Sequence, residues 1–203
     1  IGIEFASFYR TLGSEVTVVE VLPKILPVED DEISALAHKA FEAQGMAIHT
    51  SAMVKTLKKG RDSVTATIEK EGKAFEVEVD RVILAVGIVG NVEDIGIENT
   101  SVKVESTHLV TDQWSATGEP GVYAIGDLCG PPWLAHKAMH EGIVCAEKIA
   151  GRTGVHPLDK SRVPGCTYCR PQVASIGLTE QAAADKGLAV RIGRFPFLGN
   201  GKA

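Results

Sequence analysis

Near the middle of the chain an apolar stretch, Val122-Tyr-Ala-Ile-Gly-Asp127, stops at a glycine-aspartate pair, and the helical pattern Leu134-Ala-His-Lys-Ala138 with Glu141-Gly142 follows. An aspartate at the carboxyl edge of a parallel strand can accept hydrogen bonds from sugar-like hydroxyls. The backbone N–H groups that open the next helix then favour an anionic or electron-rich ligand. A strand, a turn and a helix joined in this way call for an α/β domain whose ligand lies beyond the carboxyl ends of the strands. Gly-Asp after a strand also fits an ordinary turn with a solvated carboxylate, so the rest of the chain has to decide.

The start of the chain carries a related pattern. Ile1-Gly2-Ile3-Glu4-Phe5-Ala6 opens a helix through Phe5, Phe8, Tyr9 and Leu12, spaced three to four apart, with Gly13 as its stop. Glu15-Val-Thr-Val-Val-Glu20 follows as an alternating β-branched strand that ends in an acid. In the nucleotide-binding pattern Gly-x-Gly-x-x-Gly the glycines allow a tight turn, approach of the pyrophosphate and close helix-to-strand packing. Gly2 fits the third of them, which places the first two and their strand upstream of residue 1. Glu20 lies eighteen residues after Gly2, close to the spacing at which a carboxylate meets the adenosine ribose 2′-hydroxyl. A carboxylate there accepts from the free diol and repels a 2′-phosphate, so NAD is expected rather than NADP. Glu4 is a further nucleotide contact to consider, although an acid in a first helical turn also answers the helix dipole.

Downstream, helical spacing over 31–44 ends at Gly45, and short strands are expected over 47–50 and Met53–Leu57, with a charged turn at 58–62. Ser63–Glu69 and Ala74–Val79 alternate with period two around Glu71-Gly-Lys73, the pattern of a hairpin. Arg81-Val-Ile-Leu-Ala-Val-Gly87 is a continuous apolar run ending in glycine, as expected of a buried parallel strand at a ligand-bearing edge. A β-α-β unit with an inserted antiparallel meander and a return strand is a dinucleotide-binding arrangement.

Composition closes off other classes. With 203 residues, 44 % hydrophobic and 23 % charged, the chain has material for one sizeable core or two small ones. A formal net charge of −5 leaves no basic footprint for nucleic acid. There is no apolar run of membrane-spanning length and no signal peptide, so no membrane partner and a cytoplasmic location are expected.

Taken together, Gly2-Ile-Glu-Phe-Ala6, Ala85-Val-Gly-Ile-Val-Gly-Asn91, Ala124-Ile-Gly-Asp127, Gly130-Pro-Pro132, Pro164-Gly-Cys-Thr-Tyr-Cys169 with Pro171-Gln-Val-Ala174, and Gly193-Arg-Phe-Pro-Phe197 with Gly199-Asn-Gly-Lys-Ala203 resemble the dihydrolipoamide dehydrogenase family of flavoprotein disulfide reductases. The resemblance covers the whole chain. It implies a truncated Rossmann-like NAD-binding domain with an inserted antiparallel meander over 1–108, a central FAD-contacting segment over 109–162, and the start of an α+β dimerisation domain over 163–203. The implied cofactors are FAD and NAD. Carried over by position, the NAD contacts are Gly2, Glu4, Glu20, Val54 and Gly87, and the flavin contacts are Asp127 with Trp133, Leu134, Ala135 and His136. Many relatives have Gly-Arg-x-Pro where this chain has Gly87-Ile-Val-Gly90, so only Gly87 is carried over from that turn. His136 invites an acid-base reading, but in the family this position serves the flavin through its backbone.

Cys166-Thr-Tyr-Cys169 matches Cys-x-x-Cys, yet a redox pair of that spacing normally opens a helix, where the dipole stabilises the thiolate. This one lies between Pro164-Gly165 and Pro171, at the entry to an expected strand, and reads as a pair of structural thiols. No second ligand pair lies near it, so no zinc site is expected. The family's redox disulfide belongs to an N-terminal flavin domain and its catalytic histidine-glutamate pair to the C-terminal domain. Neither is expected in these residues, so the family implies no catalytic residue here and no turnover by this segment alone.

In that family dihydrolipoamide reduces the disulfide, electrons pass to FAD, and a hydride leaves to NAD⁺. The implied partners are the dihydrolipoyl domain of a 2-oxo-acid dehydrogenase complex and a second copy in a homodimer, with a mitochondrial matrix address in a eukaryote. Two alternatives stay open: another pyridine nucleotide-disulfide reductase, or a non-catalytic nucleotide-binding and dimerisation module.

Overall fold

A computed structural model describes residues 1–201; Lys202 and Ala203, the end of the Gly199–Ala203 motif, lie outside the described residues. Helix α1 runs over Gly2–Thr11 and stops before Gly13, whose φ of +97° costs glycine nothing and would strain any other residue. Strand β1 (Thr17–Val19) follows, then helix α2 (Asp31–Ala43) and strand β2 (Ala47–His49). The two strands pair in parallel, Thr17 with Ala47 and Val19 with His49, which makes α2 their crossover.

The meander comes next as strands β3 (Ala52–Lys59), β4 (Val64–Lys70) and β5 (Lys73–Val79), antiparallel in that order. Glu71 and Gly72 form its second turn with φ of +52° and +73°. Left-handed geometry at both central residues matches the strand twist, so Lys70 pairs directly with Lys73. After it come the short pair β6 (Val104–Glu105) and β7 (His108–Leu109), helix α3 (Ala135–Ile149), the antiparallel pair β8 (Gly165–Thr167) and β9 (Val173–Ser175), and helix α4 (Glu180–Asp185).

Two small cores hold these parts. The first gathers Ile3 and Ala6 of α1, Ala37 and Phe41 of α2, Ile25, Met46, Cys169 and Val173; the second gathers Ala52, Ala66 and Ile68 of the meander beside Val19, Phe75 and Val77. The C-terminal segment is thus packed onto the first β-α-β unit. Tyr168 N–H donates to Glu4 Oε1 at 2.9 Å, Arg170 N–H to Ser7 Oγ at 3.0 Å, and Gln44 Nε2 to the Arg170 carbonyl at 2.6 Å.

Two expectations need correction. Residues 81–87 form no strand, and Leu84 and Val86 are 71 % and 93 % exposed. An apolar run becomes a strand only beside a partner ladder, and no strand among the described residues pairs with this one. The run Val122–Asp127 is not a parallel strand either. Tyr123 makes an isolated antiparallel bridge with Ala116, and a 3₁₀ turn over Gly126–Cys129 follows at once. In α1 the stripe Phe5, Phe8, Tyr9 and Leu12 faces outward, while Ile3, Ala6 and Ser7 are buried. Ile3 and Ala6 pack with α2 and the 168–173 segment, and the aromatic rings lie against one another, Phe5 stacked with Tyr9 at 6.4 Å and Phe8 edge-on to Tyr9 at 5.2 Å between centroids.

Candidate functional site

The expected nucleotide contacts fall around the carboxyl ends of β1 and the start of α1. Glu20 follows β1 directly, its N–H bonded to the His49 carbonyl at 2.9 Å, and its carboxylate accepts from Leu22 N–H at 2.9 Å. That bond turns the side chain over the loop at the strand end instead of leaving it free in solvent. Gly2, the first residue of α1, lies beside the 81–87 run: a Cβ on it would meet Ala85 Cβ at 3.4 Å. Helix start and run are therefore in contact, and Gly87, with φ of +147° and open space where a side chain would go, lies two residues further on. Val54 lies exposed on β3, just before the register shift between Val54 and Thr56.

Glu4 is differently employed. Its carboxylate holds the Tyr168 N–H, and this backbone bond keeps its pKa below the ordinary glutamate value against the opposing effect of partial burial. In this structure it joins α1 to the C-terminal segment.

The expected flavin contacts are built on α3 and the turn before it. Asp127 is exposed on the 3₁₀ turn, and Leu134 caps α3 in extended conformation without any side-chain bond to the helix N–H groups. No acid occupies the first turn of α3. Trp133 Nε1 donates to His108 Nε2 at 3.3 Å, and the two rings lie 5.9 Å apart. His136 Nε2 lies 2.8 Å from the Pro164 carbonyl oxygen, which fixes the ring on the segment leading into β8. With its ring nitrogen so used, His136 leaves its backbone N–H at the start of α3 as the group facing outward from the helix end.

The turn that carries Asp127 is held from beneath. Lys137, fully buried, donates from Nζ to the carbonyls of Gly126 and Gly130, each at 2.9 Å. Glu141, 6 % exposed, accepts Gly126 N–H at 2.8 Å and lies 3.3 Å from Lys137 and 3.4 Å from Lys160. Gly126 has φ of +77°, and a Cβ there would meet Ala138 Cβ at 3.1 Å, so turn and helix touch. Sequence reasoning missed Lys137 and Glu141 as part of the site, because charged residues on an amphipathic helix usually mark its solvated face. Their i, i+4 spacing, repeated at Cys145, was the available signal: these three form the buried stripe of α3 while Met139, Ile143 and Ile149 are exposed.

Of the expected residues the structure thus gathers Gly2 with the approach to Gly87, and Asp127 with 133–136. Among the described residues no hydrogen bond or ion pair joins Glu20, Val54 or Gly87 to Asp127 or the start of α3.

Cys166 is exposed on β8, and Cys169 is buried in the first core, its thiol donating to the Pro171 carbonyl at 3.0 Å. Burial raises the Cys169 pKa, and the nearby Glu4 charge adds to it; burial also raises Cys129 and Cys145. All four cysteines are free, and no metal-binding cluster exists among the described residues. No helix among the described residues is long and apolar enough to cross a membrane.

A parallel strand pair with a helical crossover, an inserted meander and a glycine-aspartate turn against a long helix define the class: a nucleotide-binding α/β protein of the flavoprotein disulfide reductase fold. Solved structures agree. HOCl-induced flavoprotein disulfide reductase RclA from Escherichia coli superposes with a TM-score of 0.87 at 24 % identity, covering 99 % of this chain and 46 % of that one. LpdA from Mycobacterium tuberculosis gives 0.83 at 26 % identity, covering 93 % and 40 %. Residues 1–142 match the model of the pyridine nucleotide-disulphide oxidoreductases, and residues 163–203 match the dimerisation domain of the same group. The chain belongs to the pyridine nucleotide-disulphide oxidoreductase family. Curated relatives named dihydrolipoyl dehydrogenase, from Rhizobium etli and Zymomonas mobilis, are 56 % and 48 % identical over the whole of this chain. The chain spans 42 % and 44 % of their lengths.

Proposed function

We propose that this chain is the nucleotide-binding and flavin-facing portion of a dihydrolipoyl dehydrogenase, an FAD-dependent enzyme that oxidises dihydrolipoamide with NAD⁺. The observation that carries the reading is the Asp127 turn. It presents an exposed carboxylate beside the uncapped start of a fifteen-residue helix, a donor and acceptor set that suits a polyhydroxyl chain joined to an electron-rich ring. Identity of 56 % to a curated dihydrolipoyl dehydrogenase supports the choice of substrate class over other disulfide reductases.

In this reading Asp127 and the backbone of Trp133, Leu134, Ala135 and His136 hold FAD. Gly2, Glu20, Val54 and Gly87 serve NAD, with Glu20 selecting the free ribose diol, while the Glu4 carboxylate stays with the Tyr168 N–H. FAD supplies two-electron transfer between dithiol and nicotinamide; these residues bind and orient. Residues 1–108 act as the NAD-binding unit, 109–162 as the central unit and 163–203 as the start of a homodimer interface. A dihydrolipoyl domain of a 2-oxo-acid dehydrogenase complex is the macromolecular substrate, and the working compartment is the cytoplasm or the mitochondrial matrix. The 203 residues alone are expected to give no turnover.

The test uses the whole gene product that carries this segment. Purified protein should hold a flavin and reduce NAD⁺, not NADP⁺, with dihydrolipoamide. Glu20→Ala should weaken NAD by about tenfold, the scale of one charged hydrogen bond, and narrow the preference over NADP. Equal turnover with both nucleotides in the parent protein, or no bound flavin, would end the reading.

A further inference from the structure

Lys137 is the most deeply buried charge in the described part of the molecule. Taking an ammonium and a carboxylate out of water costs several kcal/mol per ion, and replacing such a pair by apolar residues is often neutral or stabilising. What the pair does here is geometric. Lys137 bonds the carbonyls of Gly126 and Gly130, and Glu141 bonds the N–H of Gly126. The three residues left between the two anchored glycines are Asp127, Leu128 and Cys129. Glycine at 126 admits the positive φ and lets Ala138 come against the turn. The turn and the first two turns of α3 are thereby fixed as one unit, and Lys160, reaching Glu141 from the segment before β8, ties that unit to the next part of the chain.

We propose that Lys137 and Glu141 are positioning residues: a buried clamp that sets the Asp127 turn against the start of α3 in the shape the flavin meets. This rests on the reading of Asp127 as a flavin contact. A preorganised turn binds more tightly because its ordering is complete before the ligand arrives.

The discriminating variant is the double substitution Lys137→Met with Glu141→Leu, made in the whole gene product. It leaves no uncompensated charge, so the midpoint of thermal unfolding should stay near that of the parent, while the turn loses its three anchors. Amide hydrogen exchange at Gly126 and Gly130 should quicken at least tenfold, and the FAD dissociation constant, followed by flavin fluorescence, should rise about tenfold or more. Exchange as slow as in the parent would overturn the clamp, and so would an unchanged flavin affinity in a variant whose exchange has quickened. If the double variant unfolds early, Glu141→Gln is the second measurement. It keeps an acceptor for Gly126 N–H without the charge, and should retain parental flavin affinity more nearly than Glu141→Leu; equal losses would overturn the clamp. Asp127→Ala separates the two claims. Parental flavin affinity in that variant would remove Asp127 from the flavin site, whereas the exchange rates at Gly126 and Gly130 alone decide whether the pair holds the turn.

Discussion

Two segments of this chain are written alike: an apolar run that ends in glycine, Arg81–Gly87 and Val122–Gly126. In the folded molecule they part company. The second is held at its Gly126 end by side chains of one helix and bridged to the 115–117 segment through Ala124 N–H to the Ser115 carbonyl at 2.9 Å. The first has no ladder among the described residues and leaves most of its side chains exposed. The difference is one of supply. The side chains that bond Gly126 and Gly130 lie within fifteen residues of them, in α3, whereas a parallel strand takes its hydrogen bonds from chain that is remote in sequence.

The comparison is most directly broken at the clamp. Glu141→Leu alone leaves Lys137 buried and unpaired, and unfolding in denaturant should show a loss of about 3–5 kcal/mol. If the loss is below 1 kcal/mol, the turn is ordered by something other than the ion pair. Next in size is Gly126→Ala, which puts a Cβ at a φ of +77° and 3.1 Å from Ala138; about 1–3 kcal/mol should be lost, read from the same curves. A comparable loss for Gly87→Ala, where space is open, would show that only the positive φ matters.

A smaller effect depends on pH. The folded-state pKa of Glu4 is depressed chiefly by the Tyr168 N–H bond, so its contribution is present above the ordinary glutamate pKa and is lost as pH falls through the depressed value. Protection of the Tyr168 amide, taken relative to its intrinsic exchange rate at each pH, should therefore fall in acid, and Glu4→Gln should make that protection independent of pH over the same range. The smallest effect is expected at the exposed run, where Leu84→Ser should change stability by no more than about 0.5 kcal/mol. A larger loss would mean that the run packs against something these described residues do not show.

These contrasts also explain what was legible from sequence. The hairpin at Glu71-Gly72 was readable because its turn chemistry is local. The crossover from β1 through α2 to β2 was readable because helical and strand periods are local as well. The Asp127 turn stands out in the sequence through Gly126-Asp127 and the helix pattern behind it, but its support does not. Lys137 and Glu141 look like surface residues until tertiary contacts bury them. The aromatic stripe of α1 teaches the same thing: spacing names a face, and only the neighbours decide whether that face is inward. Arg81–Gly87 carries every local mark of a buried strand, and strand formation is not a local property.

The bonds from Tyr168 to Glu4 and from Arg170 to Ser7 span 164 and 163 residues of chain. On a ribosome adding about 5–20 residues per second, helix α1 leaves the exit tunnel on the order of ten seconds or more before the segment that completes its packing has been made. During that interval Ile3 and Ala6 can meet α2 but not Cys169 or Val173, so the first core is assembled in two instalments, and a nascent chain stalled before residue 168 should be far more open to proteases at α1 than the finished one.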